Sequence, residues 1–134
     1  IEGNIGRSPK NRKKMAIVRR GGRTARTHYK VREHLANSCW SLVECRLETG
    51  RTHQIRVHLT ARGHAVVGDP LYGGRWRSSA NALPPRAATA LEGWQRQALH
   101  AYRLAFRHPL SGAYVEFTSE PPADMQVLLA AGRE

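Results

Sequence analysis

Carboxylates are scarce in this sequence: 10 Asp and Glu stand against 22 Lys and Arg, for a formal net charge of +12 over 134 residues. So thin a supply offers no carboxylate pair of the glycosidase kind. Long apolar runs are missing too; none approaches the ~18 residues that a membrane-spanning helix requires. The first residues lack the continuous hydrophobic region of a secretory signal. Metal-binding signatures are absent, with no H-E-x-x-H and no C-x-x-C. His53, His58 and His64 are spaced five and six apart, whereas a helix brings i and i+4 together, so no metal is expected. No glycine-rich phosphate cradle occurs, which argues against a nucleotide cofactor. Ser41 and Ser111 lack the strand–turn–helix setting of a nucleophilic serine.

Cysteine is limited to Cys39 and Cys45. On one extended strand they would lie about 20 Å apart at ~3.3 Å per residue. That separation rules out a disulfide within the strand, and two buried thiols in a reducing cytoplasm are expected. The chain begins at Ile1 rather than Met, so it reads as a fragment or a processed piece. Its length suits one domain with a real core.

What the sequence does have is positive charge, unevenly placed. Residues 1–30 carry ten basic side chains, among them Arg12, Lys13 and Lys14, and the single acid Glu2. Such asymmetry points to a polyanionic partner. Nucleic acid is favoured over a membrane surface because no basic amphipathic helix accompanies the cluster. A solvated arm without a partner is the plainer alternative.

The chain is organised around Leu47-Glu48-Thr49-Gly50-Arg51-Thr52-His53-Gln54-Ile55-Arg56-Val57-His58-Leu59. Residues 42–47 are rich in strand formers, and Gly50 interrupts them. Thr52 is the expected N-cap of a short helix. Ile55 and Leu59 share one face of it, and Gly63 stops it. Arg51 then sits at a helix mouth that attracts anions. Arg56 lies between two apolar residues, where a buried cation needs an anionic partner. No acid is near it in sequence, so that partner is remote, outside this chain, or a ligand. Asp69, between a glycine and a proline, reads as a turn cap.

Strands are expected over residues 15–18, 24–35, 39–47, 65–67, 98–106 and 114–118, with turns at Gly21-Gly22, Asn37-Ser38 and His108–Gly112. Residues 1–13 read as loop and 75–97 as an irregular, mobile surface segment. A helix over 123–131 presents Met125, Leu128 and Leu129 on one side. The fold class is α+β: mostly antiparallel sheet, one short central helix and a C-terminal helix.

Two segments, Leu47 to His58 and Val67-Gly68-Asp69-Pro70-Leu71-Tyr72-Gly73, resemble the RluA-type pseudouridine synthases. Arg12-Lys13-Lys14-Met15-Ala16, Leu99-His100-Ala101, His108-Pro109 and Pro121-Pro122-Ala123-Asp124-Met125 extend the likeness over nearly the whole chain. Thr27-His28-Tyr29 and residues 68–75 look most like the D-type branch that acts on large-subunit ribosomal RNA. The resemblance implies isomerisation of uridine in RNA, without metal or cofactor. The N-glycosidic bond breaks and the base rejoins the ribose through carbon. It also implies RNA contacts from Arg51, Thr52, His53, Gln54, Lys13 and Lys14. In this family the arginine matching Arg56 pairs with a nucleophilic aspartate in an H-R-L-D-x-x-T-S-G motif. That motif is not in this sequence. Residues 1–134 therefore resemble the C-terminal portion of a catalytic domain, expected to be inactive alone. A non-catalytic basic RNA-binding module is the rival reading.

Overall fold

The computed structural model describes residues 1–73 and 82–134. Among the described residues nine elements follow one another: strands β1 (Ile5–Arg7), β2 (Met15–Ile17), β3 (Thr27–Leu35) and β4 (Trp40–Leu47), helices α1 (Gln54–Ala61) and α2 (Pro85–Glu92), strands β5 (Arg103–Arg107) and β6 (Tyr114–Thr118), and helix α3 (Ala123–Gly132). The strands pair as three antiparallel ribbons, β1–β2, β3–β4 and β5–β6. The α+β class stands, with antiparallel pairing throughout the described residues.

The longest ribbon shows how sequence sets register. The alternation from Thr27 onward pairs Thr27 with Leu47, Tyr29 with Cys45 and Val31 with Val43. A bulge follows between Val31 and Glu33. It releases Arg32, whose guanidinium takes both oxygens of Glu44 at 2.9 Å. Ala36, Asn37 and Ser38 all have left-handed φ, and they turn the chain back. Cys39 lies in that turn rather than in β4, and both cysteines are free thiols.

The N-terminal segment departs from the loop expected for residues 1–13. Ile5 pairs with Ile17, and its burial to 2% exposure makes it a core residue. Ile5, Ala25 and Val57 form a small core, with Met15 and Tyr72 packed against it. A three-residue strand is too short to show alternation, which is why composition hides it.

Two further expectations are corrected. Residues 65–67 form no strand; Val66 is buried within a turn-rich loop that Ala98 closes, its amide donating to the Val67 carbonyl at 2.8 Å. The irregular segment expected over 75–97 contains α2, a third helix. Its signal was present: Pro85 occupies the first helical turn, where a missing N–H costs nothing. Ala87 and Leu91, four apart, are its buried residues. The part of that expectation over 75–81 lies outside the described residues.

Helix α3 has Met125, Leu128 and Leu129 on one side as expected, with Leu128 buried and the other two half-buried. It packs on α2. Its last residue, Gly132, lies so close to Leu35 and the Trp40 ring that an added Cβ would come within 3.2 Å of both. The core is nonetheless smaller than the length suggests. Leu104 and Phe117 pair across β5–β6 yet are 61% and 59% exposed. Among the described residues no helix is long and apolar enough to cross a membrane.

Candidate functional site

Everything of chemical interest gathers where α1 begins, and the start of α1 differs from expectation. Thr52 does not cap it. The residue before the helix is His53, held at φ 55° and ψ 25°, and no side chain caps from that position. His, like Asn and Asp, enters the left-handed region more readily than most residues, but at some cost. Gln54, the first residue of the helix, instead fastens the turn that leads into it. The Gln54 side-chain oxygen accepts the Arg51 amide at 3.0 Å and the Thr49 hydroxyl at 2.7 Å. This leaves the Thr52 side chain exposed beside the turn.

The inward face of α1 is also rotated from the one expected. Gln54, Val57 and His58 are buried, while Ile55 and Leu59 are only half-buried. Burying two polar side chains is tolerable only if their hydrogen bonds are met, and here they are. Gln54 Nε2 donates to the Arg26 carbonyl and to Thr27 Oγ1, each at 3.0 Å. Thr27 Oγ1 lies 2.8 Å from His58 Nδ1, and His58 Nε2 lies 3.0 Å from the Gly3 carbonyl oxygen. The carbonyl can only accept, so His58 carries its proton on Nε2, and the Thr27 hydroxyl donates to Nδ1. This chain of bonds fastens the N-terminal segment, β3 and α1 to one another.

Gln54, expected at the RNA surface, is instead 3% exposed, with both amide atoms engaged within the chain. Arg51 remains at the surface of the turn, where its Nε donates to the Thr24 carbonyl at 2.8 Å and so anchors the side chain.

Arg56 has a partner in this chain that is remote in sequence, one of the alternatives left open for it. Arg56 Nε donates to Asp69 Oδ2 at 2.7 Å and Nη2 donates to Asp69 Oδ1 at 2.8 Å, a two-pronged pair. The Arg56 side chain is 11% exposed and that of Asp69 is 0%. Asp69 keeps the turn-capping role as well, since Oδ1 accepts the amides of Leu71 at 2.9 Å and Tyr72 at 3.1 Å. Burial pushes the Asp69 carboxyl upward, but the hydrogen bonds from Arg56 and from the Tyr72 and Leu71 amides outweigh it and hold it below its ordinary value. The same pairing raises Arg56. Thirteen residues separate the two, a distance no helical spacing rule spans. The left-handed turn at Gly68, φ 76°, brings them together.

Tyr72 is the residue that sequence reasoning passed over. Its hydroxyl accepts the Met15 amide at 2.9 Å and lies 2.9 Å from His53 Nδ1. The Arg56 guanidinium stands 5.0 Å from its ring centroid and the Lys14 ammonium 5.9 Å, both within cation–π range. The His53 ring meets it edge-on at 5.6 Å. Of Lys13 and Lys14, the second is thus drawn to the site, whereas Lys13 is exposed on the β1–β2 loop. That loop is well formed: Ser8 Oγ accepts the amides of Lys10 and Asn11, and Asn11 Oδ1 accepts that of Lys13.

A buried Arg–Asp pair, a histidine with a left-handed backbone and a basic hairpin thus meet around one tyrosine, a grouping whose excess positive charge suits an anionic ligand. Comparison with known proteins gives this arrangement its context. Residues 1–61 match the family model described as RNA pseudouridylate synthase. The chain is 50% identical over 129 residues, 96% of its length, to the ribosomal large subunit pseudouridine synthase D of Zymomonas mobilis. It is 50% identical over 138 aligned positions to the enzyme of the same name from Neisseria meningitidis serogroup A. The chain spans 38% and 34% of the length of these two relatives. Among solved structures, human RNA pseudouridylate synthase domain containing 1 superposes with a TM-score of 0.70 at 30% identity, over 99% of this chain and 51% of that one. This chain belongs to the RNA pseudouridylate synthase family.

Proposed function

We propose that this chain is part of an enzyme that isomerises uridine to pseudouridine in large-subunit ribosomal RNA. One observation carries the reading. Arg56, at the centre of the segment shared with the family, is fixed by Asp69 through Nε and Nη2. An arginine has five N–H donors. The Nη1 group has no hydrogen-bond partner among the described residues, and it is available to a second carboxylate. The aspartate of an H-R-L-D motif, which this sequence does not contain, is the carboxylate it suits. An arginine held rigid on one edge orients and keeps ionised whatever acid meets the other.

The aspartate acts as nucleophile or as acid/base while the bond from uracil N1 to the ribose breaks. Carbon C5 then bonds to the ribose carbon in place of N1 and gives up its hydrogen as a proton to a base or solvent, while N1 takes up a proton, so the product is an isomer of the substrate. The target base must leave its stack, which costs a few kcal/mol and demands a grip on the flanking backbone. Arg51, Thr52, His53, Lys13 and Lys14 supply that grip in this reading. The compartment is the cytoplasm, in keeping with a ribosomal substrate and two free thiols.

Tritium release from RNA carrying 5-tritiated uridine tests the catalytic part. The 134-residue chain is expected to release none. Appreciable turnover by this chain would overturn the view that a carboxylate from outside it is required.

The basic hairpin favours a second reading, a non-catalytic RNA-binding module, and it has its own measurement. Lys13 and Lys14 replaced together by alanine should weaken binding of a single-stranded RNA. The slope of log affinity against log salt should fall by roughly 0.7 for each phosphate left without its cation. An unchanged affinity and slope would leave the hairpin as solvated surface with no part in binding.

A further inference from the structure

We infer that Tyr72 is the positioning residue of this site: its hydroxyl locks His53 in the Nε2–H tautomer, so that His53 meets RNA as a hydrogen-bond donor. The inference rests on the RNA-binding reading above and goes further, naming how one RNA group is recognised.

The tautomer follows from counting protons. A tyrosine hydroxyl has one proton to give. Tyr72 Oη already accepts the Met15 amide at 2.9 Å. Among the described residues, the only other polar atom within hydrogen-bond distance of it is His53 Nδ1, at 2.9 Å. Nδ1 is thus the acceptor open to the hydroxyl proton among the described residues, and a proton given there leaves the ring proton on Nε2, the arrangement we infer. The charged groups around the imidazole agree. Burial, and then Arg56 on α1, disfavour a second ring proton, Asp69 in the following loop favours one, and the balance holds His53 below its ordinary value. Lys14, just before β2, adds a further cation across the Tyr72 ring.

The geometry also explains why His53 accepts a left-handed backbone. That conformation is strained for a residue with a Cβ. Strain of this kind persists where neighbouring structure holds it, and it is concentrated at functional sites. The His53 carbonyl accepts the Val57 amide at 2.9 Å, while Tyr72 holds the ring. Backbone and side chain are thus fixed separately. Nε2 has no partner among the described residues. A neutral donor there fits an acceptor oxygen of RNA, whether on a phosphate or on a uracil carbonyl. Tyr72 also ties the Met15 amide, and with it the basic hairpin, to the Arg56–Asp69 pair.

Nitrogen-15 NMR of histidine side chains in the intact chain tests the lock, with the His53 signals assigned by their loss in His53→Gln. At neutral pH the wild type should show an unprotonated Nδ1 and a protonated Nε2, and Tyr72→Phe should show a mixture of both tautomers. Affinity for a single-stranded, uridine-containing RNA should fall ~3–10-fold in His53→Ala and in Tyr72→Phe, the size of one missing hydrogen bond. The double variant should lose no more than His53→Ala alone, and His53→Gln, which keeps a donor, should bind nearly as the wild type does. A proton on Nδ1 in the wild type overturns the inference even if Tyr72→Phe fails to fold. So does Tyr72→Phe with wild-type tautomer and affinity. If Lys13/Lys14→Ala weakens binding and His53→Ala does not, this inference falls while the RNA-binding reading stands. If neither does, the RNA-binding reading falls as well.

Discussion

Asp69→Ala should destabilise the chain by about 3–5 kcal/mol, the usual result of removing one partner from a buried ion pair. The penalty comes from what remains rather than from what is removed. The Arg56 guanidinium stays in a pocket where its side chain is 11% exposed. The Leu71 and Tyr72 amides lose their shared acceptor, and an unmet buried donor carries its own desolvation cost. Against a typical total of about 5–15 kcal/mol, that is a large share. Urea titration measures it, and a loss below about 1 kcal/mol would show that the pair is better solvated than its geometry implies. Arg56→Met in the Asp69→Ala background should restore part of the loss, because an apolar side chain no longer needs a counter-charge. The pair also sets a pH dependence. The folded-state pKa of Asp69 lies below its ordinary value of 3.8. Its contribution is therefore fully present above that value and is lost as pH falls through the lowered one. Asp69→Ala should flatten that part of the acid limb of the stability curve.

Gly68→Ala should cost about 2–5 kcal/mol, the sum of two separate penalties. The first is conformational: Gly68 has φ 76°, and a Cβ in the left-handed region costs roughly 1–2 kcal/mol. The second is steric. A Cβ on Gly68 would overlap the Arg96 carbonyl oxygen and the Trp94 indole, and overpacking of this kind adds about 1–3 kcal/mol. Gly63 provides the control, with φ 82° and nothing within 4 Å of an added Cβ. Gly63→Ala should show the first penalty alone. Thermal melts of both variants separate the two, and equal losses would mean that the loop yields around Trp94. Any such shift moves Asp69 as well, so Gly68→Ala should also loosen the Arg56 pair one residue away.

Much of the framework was readable from residue order because it rests on short-range rules. The alternation from Thr27 and the strand-forming run to Leu47 gave β3 and β4 their pairing. The turn at His108–Gly112 and the helix after Pro121-Pro122 followed from glycine, proline and apolar spacing. Pro85, with Ala87 and Leu91 four apart, carried the α2 signal as well, but the surrounding small residues masked it. β1 was not readable, because three residues become a strand only once Ile17 and Arg23 are there to pair with Ile5.

Charge, the helix-bearing motif and the likeness to a family of RNA-modifying enzymes are properties of the sequence, fixed by which residues occur and at what spacing. Which of those residues face one another is not. Gln54 and His58 turned inward because Thr27 and Gly3, dozens of positions earlier, offered matching hydrogen bonds. Arg56 found its counter-ion because a glycine with a left-handed backbone swings Asp69 back over α1. A buried polar side chain is stable only beside its partner, and partners far apart in the chain are brought together by tertiary folding alone.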